Sequence, residues 1–145
     1  MPKINEYKCN KCGFTLERGW GYRFYVEDDK GKRTDCHHPQ ERKYVEEVLG
    51  KNLSLELIRE RTGFHSFCVC LDCLNQFKAD LGEDGWSPHE PYLWQHLPRL
   101  KQEKDKRECP NCRSKRVKTE LELVGEVCPK CEEGIIEEIW TGWIS

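Results

Sequence analysis

The sequence predicts a small α+β protein stabilised by bound metal, with a mixed N-terminal unit at residues 1–98 and an all-β unit at 99–145. Three observations lead there. Only 37% of the 145 residues are apolar and 34% are charged, while units of roughly 40 to 60 residues usually need cross-links or metal to hold together. Ten cysteines are present, eight of them in four Cys-x2-Cys pairs. The apolar periodicity also changes along the chain from alternating to helical and back.

Metal is favoured over disulfide by context. The opening MPKINEYKCN contains no apolar run of the signal-peptide kind, and nothing approaches the ~20 apolar residues of a membrane span. A cytoplasmic protein without membrane contact is expected, and there paired cysteines stay reduced and read as metal ligands.

In the N-terminal unit, Cys9-Asn-Lys-Cys12 is followed by Gly13, which lets the backbone turn its amides toward the thiolates. Tyr22, Phe24 and Val26 alternate with Arg23, Tyr25 and Glu27, and Asp28-Asp29-Lys30-Gly31 supplies a turn, so a β-hairpin is predicted within 14–34. Pro39 suits a helix start. Tyr44, Val45, Val48 and Leu49 form one apolar face, and Gly50 stops the helix. A second short helix carries Leu55, Leu57 and Ile58 and ends at Thr62-Gly63. The spacing of Leu74, Phe77 and Leu81 predicts a third helix, opened by Cys70-Leu-Asp-Cys73 and ended by Gly82. Residues 83–98 hold Trp86, Tyr92 and Trp94 among prolines and read as a loop leading into an aromatic-packed turn. The charged stretch after Pro98 marks the boundary. Beyond it, Val117–Val124 alternates as a strand, and Gly134–Trp140 reads as another.

Four thiolates surround a zinc ion at about 2.3 Å each, so two pairs make one site. Cys109-Pro-Asn-Cys112 and Cys128-Pro-Lys-Cys131, separated by 15 residues, have the same form and suit one four-cysteine centre. Cys9 and Cys12 then join Cys70 and Cys73, with Cys68 as the competitor for the place of Cys70. Cys36 and Cys68 remain. With His38 (or His37) and His65 they make a chemically sensible third zinc site, and an open position there is the sole enzymatic signal. Two zincs are expected, with a third as the alternative.

The segment CPNCRSKRVKTELELVGEVCPKCEEGIIEEIWTG resembles the zinc-ribbon family, with its CPxC knuckles and final strand. CNKCGF with the later CLDCLNQF is similar to treble-clef zinc domains. CNKCG, CHHP, CVCLDC and the terminal ribbon together resemble small uncharacterised prokaryotic zinc-ribbon proteins. The resemblance implies a treble-clef-like N-terminal unit, a C-terminal ribbon and bound zinc. It implies no activity, because one fold hosts many roles.

Charge suggests partners. Residues 99–118 carry a net +6 and residues 119–145 a net −6. The basic cluster of Arg99, Lys101, Lys104, Lys106, Arg107, Arg113, Lys115, Arg116 and Lys118 suits phosphate contacts, and Trp140 or Trp143 suits stacking on bases. The leading expectation is a module that binds nucleic acid or a protein of nucleic-acid metabolism. The alternatives are a protein–protein adaptor with structural zincs and a zinc hydrolase or nuclease using His37, His38 or His65 with Asp35 or Glu41 as base. No HExxH, Gly-rich phosphate loop or βαβ redox context supports another chemistry.

Overall fold

The fold is taken from a computed structural model, which describes residues 3–82 and 103–144. The aromatic stretch at 86–97, Arg99, Lys101 and the expected boundary lie outside those residues.

Seven strands and three helices are described, in the order β1 (Lys3–Cys9), β2 (Tyr22–Glu27), β3 (Arg33–Asp35), α1 (Glu41–Leu49), α2 (Leu55–Arg61), β4 (Thr62–Cys70), β5 (Gln76–Ala79), β6 (Val117–Thr119), α3 (Glu120–Leu123) and β7 (Ile136–Ile144). The hairpin is present as β2 and β3, paired from Tyr25 with Asp35 to Glu27 with Arg33. Its turn is fixed by the Asp28 carboxylate, which accepts the amides of Lys30 and Lys32. α1 ends at Gly50 with φ 89°, as its glycine foretold. α2 starts at Ser54, whose hydroxyl accepts the Leu57 amide.

β4 is the hub. Its first half pairs with β2, from Thr62 with Val26 to Ser66 with Tyr22. Its second half pairs on that same edge with β6, Cys68 facing Thr119 and Cys70 facing Val117. β5 covers the opposite edge. A separate two-stranded sheet joins β1 to β7, Cys9 facing Ile136 and Tyr7 facing Glu138. Both sheets thus contain strands from either side of the expected boundary at 98.

Two elements differ from expectation. The predicted helix over 74–81 is strand β5, because Phe77 sits opposite Cys68 and β4 offers an unpaired edge; cross-strand pairing overrides the i, i+3, i+4 spacing. The treble-clef helix is therefore not found at this knuckle. The predicted strand over 117–124 breaks after Thr119 into α3. Thr119 and Glu122 form a reciprocal capping box, each side chain meeting the other's backbone amide.

Three apolar clusters fill the interior. Tyr7, Leu16, Val69, Leu123 and Ile136 pack between the two sheets. Ala79, Leu81 and Val117 surround the second half of β4. Phe24, Val26, Val45 and Phe64 pack under α1. The opposite face of β2 and β3 is buried by polar groups instead. Tyr25 donates to Asp80 at 2.6 Å and stacks on His65. Arg33 grips Asp105 with two hydrogen bonds of 2.6 and 3.1 Å, and Asp105 also accepts the Asp80 amide. His65 lies between Arg33 and Asp35. Desolvation would raise the Asp35 carboxyl, but His65 and Lys78 outweigh it and hold the group down to about 2. This network fastens Lys104 and Asp105 to the large sheet.

Glu120 is the exception to good pairing. It is 1% exposed, and neither carboxylate oxygen meets a hydrogen-bond partner among the described residues. Burial, reinforced by the charge of Glu17, pushes its carboxyl up to about 8. A carboxyl raised above its unfolded value stabilises the fold fully below the unfolded pKa and loses that contribution as pH rises through the folded one. Glu120→Gln is therefore expected to gain Tm relative to the natural chain between about pH 6 and about pH 8, where metal stays bound. Thermal melts across that range check this, and a difference that stays flat contradicts it.

Candidate metal centres

Four Cys-x2-Cys turns share one geometry. The first cysteine of each donates its amide to the chain on the far side of the turn, at 2.8–2.9 Å: Cys9 to Phe14, Cys70 to Asn75, Cys109 to Ser114 and Cys128 to Gly134. The residue after each second cysteine is left-handed, with φ 76° at Gly13, 63° at Leu74, 65° at Arg113 and 59° at Glu132. Only the first of these is glycine, so three turns hold a side chain in a conformation that costs of order 1–2 kcal/mol. The turn in return directs amides at sulfur. Lys11 and Cys12 donate to Cys9 at 3.3 and 3.4 Å, Cys73 to Cys70 at 3.5 Å, Lys130 to Cys128 at 3.4 Å and Gly134 to Cys131 at 3.3 Å.

Strand pairing decides which turns meet. Cys9 at the end of β1 lies opposite Ile136, and Cys70 at the end of β4 lies opposite Val117. Each partner stands the same distance in sequence beyond its own cysteine turn. The outer pair of turns therefore come together, and so do the inner pair. Cys9, Cys12, Cys128 and Cys131 form one group, and Cys70, Cys73, Cys109 and Cys112 the other, with all four sulfurs of each within 4.8 Å. Both groups can hold a metal ion.

The eight cysteines are those expected, but the pairing is not. Cys109 and Cys112 do not join Cys128 and Cys131, and Cys9 and Cys12 do not join Cys70 and Cys73. Spacing favoured neighbours; the strands select a nested arrangement. Cys68 does not replace Cys70. Its sulfur lies outside both four-sulfur groups and approaches the Ser66 carbonyl at 3.5 Å.

The sulfur geometry fits a single ion in each group. Cys9–Cys131 and Cys12–Cys128 stand at 3.6 and 3.7 Å, Cys70–Cys112 and Cys73–Cys109 at 3.5 and 3.6 Å. Four sulfurs about 2.3 Å from one ion are about 3.8 Å apart, whereas a disulfide needs about 2.05 Å. Proton affinities point the same way. The amides of Gly134 and Glu133 hold the Cys131 thiol down to about 6. Desolvation pushes Cys109 up, but the amides of Cys112 and Asn111 outweigh it and bring it to about 6. At Cys112 the Ser114 amide pulls the thiol down, yet the Cys70 sulfur and burial carry it up to about 12. The tetrads shed some protons readily and resist losing the rest, a resistance that a bound dication removes. Asn75 and Asn111 add side-chain donors to Cys109 and Cys73.

A third site from Cys36, His38, His65 and Cys68 is not assembled. Cys36 belongs to the cluster under α1 and Cys68 to that around β4. His38 pairs with Glu41 at 2.6 Å and His65 with Asp35 at 3.0 Å, so both bases considered for a hydrolase already have histidine partners. His37 packs edge-on against Tyr44.

The basic cluster is partly engaged within the chain. Arg107 pairs with Glu122, Arg113 with Glu108 and Arg116 with Asp72. The Lys104 ammonium bonds the carbonyls of Glu60 and Thr62. Lys106, Lys115 and Lys118 have no carboxylate partner among the described residues.

Comparison with protein-family models, with curated proteins and with solved structures gave no match. The geometry itself shows two clusters of four cysteines each, consistent with zinc-ribbon-like sites.

Sequence reasoning missed one residue that matters to the outer centre. A Cβ on Gly134 would overlap the Cys9 sulfur and lie 2.8 Å from the Lys11 Cβ. Gly134→Ala is expected to open the outer centre and spare the inner one, leaving one of two metals labile to mild chelation. Gly13→Ala meets open space and is expected to cost only the left-handed strain, about 1–2 kcal/mol. Native mass spectrometry during a chelator titration reads the first, thermal melts the second. Equal metal retention in both variants contradicts the close approach.

Proposed function

We propose that the protein is a zinc-held adaptor, in which two structural Zn²⁺ ions fix a scaffold that offers β7 to an extended, basic segment of a partner protein. Zinc suits sites of four thiolates, and four protein ligands leave no open position for substrate, which argues for a structural and against a catalytic role. Ten free cysteines suit a reducing compartment, with the cytoplasm as the expected place. No helix among the described residues is long and apolar enough to cross a membrane.

The exposed C-terminal strand carries the proposal. Trp140 and Trp143 are 54% and 71% exposed, and Ile139 and Ile144 stand open beside them. β7 has β1 on one edge. On the other, the amide and carbonyl of Ile136 are taken by Glu126 and Gly125. Alternation then turns the backbone groups of Glu138 and Trp140 to that same outer side, where no strand pairs with them among the described residues. Such an edge is a template for an added strand, with main-chain bonds for affinity and aromatic contacts for specificity. Glu137, Glu138 and the net −6 of residues 119–145 select basic residues in the visitor.

Nucleic-acid binding through the basic cluster is the second reading, supported by Lys106, Lys115 and Lys118. It is weaker because their strongest neighbours are ion-paired and the adjacent tail repels phosphate.

Peptides selected from a random library on the zinc-loaded chain are expected to be extended and basic, and to protect the Glu138 and Trp140 amides from hydrogen exchange. Glu138→Pro keeps the β1 ladder, removes an outward donor and is expected to abolish binding. Peptides that protect another surface, or that bind the proline variant equally, overturn the adaptor reading.

A further inference from the structure

Away from β7, a cavity of about 270 Å³ opens between the 18–23 segment, the 36–38 turn and Phe67 of β4. Its wall is aromatic and cationic: Trp20, Phe67, Arg18, Arg23 and His37 contribute, and no carboxylate does. Arg18 is paired at the rim with Glu6. Glu41 stands behind, bonded to His38.

Two donors in this wall are unused. The Arg23 guanidinium lies over the Phe67 ring at 5.9 Å and has no hydrogen-bond or carboxylate partner among the described residues. The Trp20 indole meets the His38 ring edge-on, and its N–H has no acceptor among the described residues. A half-buried guanidinium left over an aromatic ring is a receptor for a multiply charged oxyanion such as phosphate, two of whose oxygens it meets with its planar two-pronged fork. The neighbouring aromatic surface suits a flat ring. The volume falls just under the roughly 300 to 1,000 Å³ of drug-sized pockets, which limits the occupant to a ligand of about mononucleotide size.

We propose that this cavity binds a nucleoside phosphate, with Arg23 on the phosphate and Trp20 supplying both an indole N–H donor and an aromatic wall. The ligand chemistry is shared by a free mononucleotide and by one residue of a single strand. The site is distinct from the β7 edge, so either can fail without the other.

The test titrates the zinc-loaded full chain with the four nucleoside monophosphates, the matching nucleosides, inorganic phosphate and a 5′-phosphorylated oligodeoxynucleotide, observed through the indole N–H resonances. At least one monophosphate is expected to shift the Trp20 indole resonance and to bind about tenfold or more tighter than its nucleoside, the factor lost with one charged hydrogen bond. Arg23→Gln is expected to remove that preference while leaving the nucleoside unchanged. Trp20→Phe, with metal content and spectral dispersion as fold controls, is expected to weaken both. If the oligonucleotide moves the same resonance more tightly, the ligand is a strand residue; if the monophosphate does, it is a free nucleotide. Equal binding of nucleotide and nucleoside, shifts confined to Trp140 and Trp143, or no shift up to about millimolar ligand, a very weak affinity of some 4 kcal/mol, overturns the proposal.

Discussion

Two tetrads of cysteine sulfur, each joining turns from opposite ends of a loop, hold positions that apolar packing alone would not fix. The outer tetrad spans sequence separations of 116 and 122 residues, the inner one 36 and 42. Chain entropy has little to say about that choice. Closing a loop of over a hundred residues instead of one of about sixteen costs only about 2 kcal/mol more, while a structural zinc site contributes about 10–16 kcal/mol. The strands therefore decide. β1 meets β7 and β4 meets β6 in corresponding registers, and each register delivers one cysteine turn to another.

The nested pairing makes the described parts depend on one another. β4 ends in Cys70, while its neighbour Val69 belongs to the apolar cluster shared with Cys9 and Cys128. The short run from Val117 to Leu123 starts in the inner cluster and finishes in the outer one. On the far side of the large sheet, Tyr25, Asp80, Arg33 and Asp105 make a polar clasp. Gly63 lies tight against that clasp, since a Cβ there would overlap the Asp80 carboxylate and sit 2.8 Å from the Tyr25 hydroxyl. The cysteine tetrads, which can hold metal, and the polar pairing thus stand where a larger protein has apolar area.

The sequence made some of this readable for physical reasons. The β2–β3 hairpin showed through alternation and a turn, and α1 and α2 through amphipathic spacing closed by Gly50 and Thr62. The eight ligand-type cysteines stood out by their spacing. Their pairing did not, because four turns of similar form carry no label for their partners, and the label lies in the register of β1 with β7. Leu74, Arg113 and Glu132 gave no hint of a left-handed backbone, since glycine is the residue that advertises it and only Gly13 has it. The Leu74–Leu81 spacing fitted a helix as well as a strand, and only the open edge of β4 resolves it. The Thr119–Glu122 capping box was visible as a T-x-x-E motif and would have located α3. Asp80 and Asp105 carry no sign in the sequence that they meet Tyr25 and Arg33.

The pairing of the cysteine turns is the central claim, and cadmium replacement reads it directly. With ¹¹³Cd in both centres, scalar correlation from each metal to cysteine β-protons identifies its four ligands. One cadmium resonance is expected to correlate with Cys9, Cys12, Cys128 and Cys131, and the other with Cys70, Cys73, Cys109 and Cys112. A single cadmium correlated with both Cys109 and Cys128 would contradict the nested arrangement and return the C-terminal turns to a ribbon of their own.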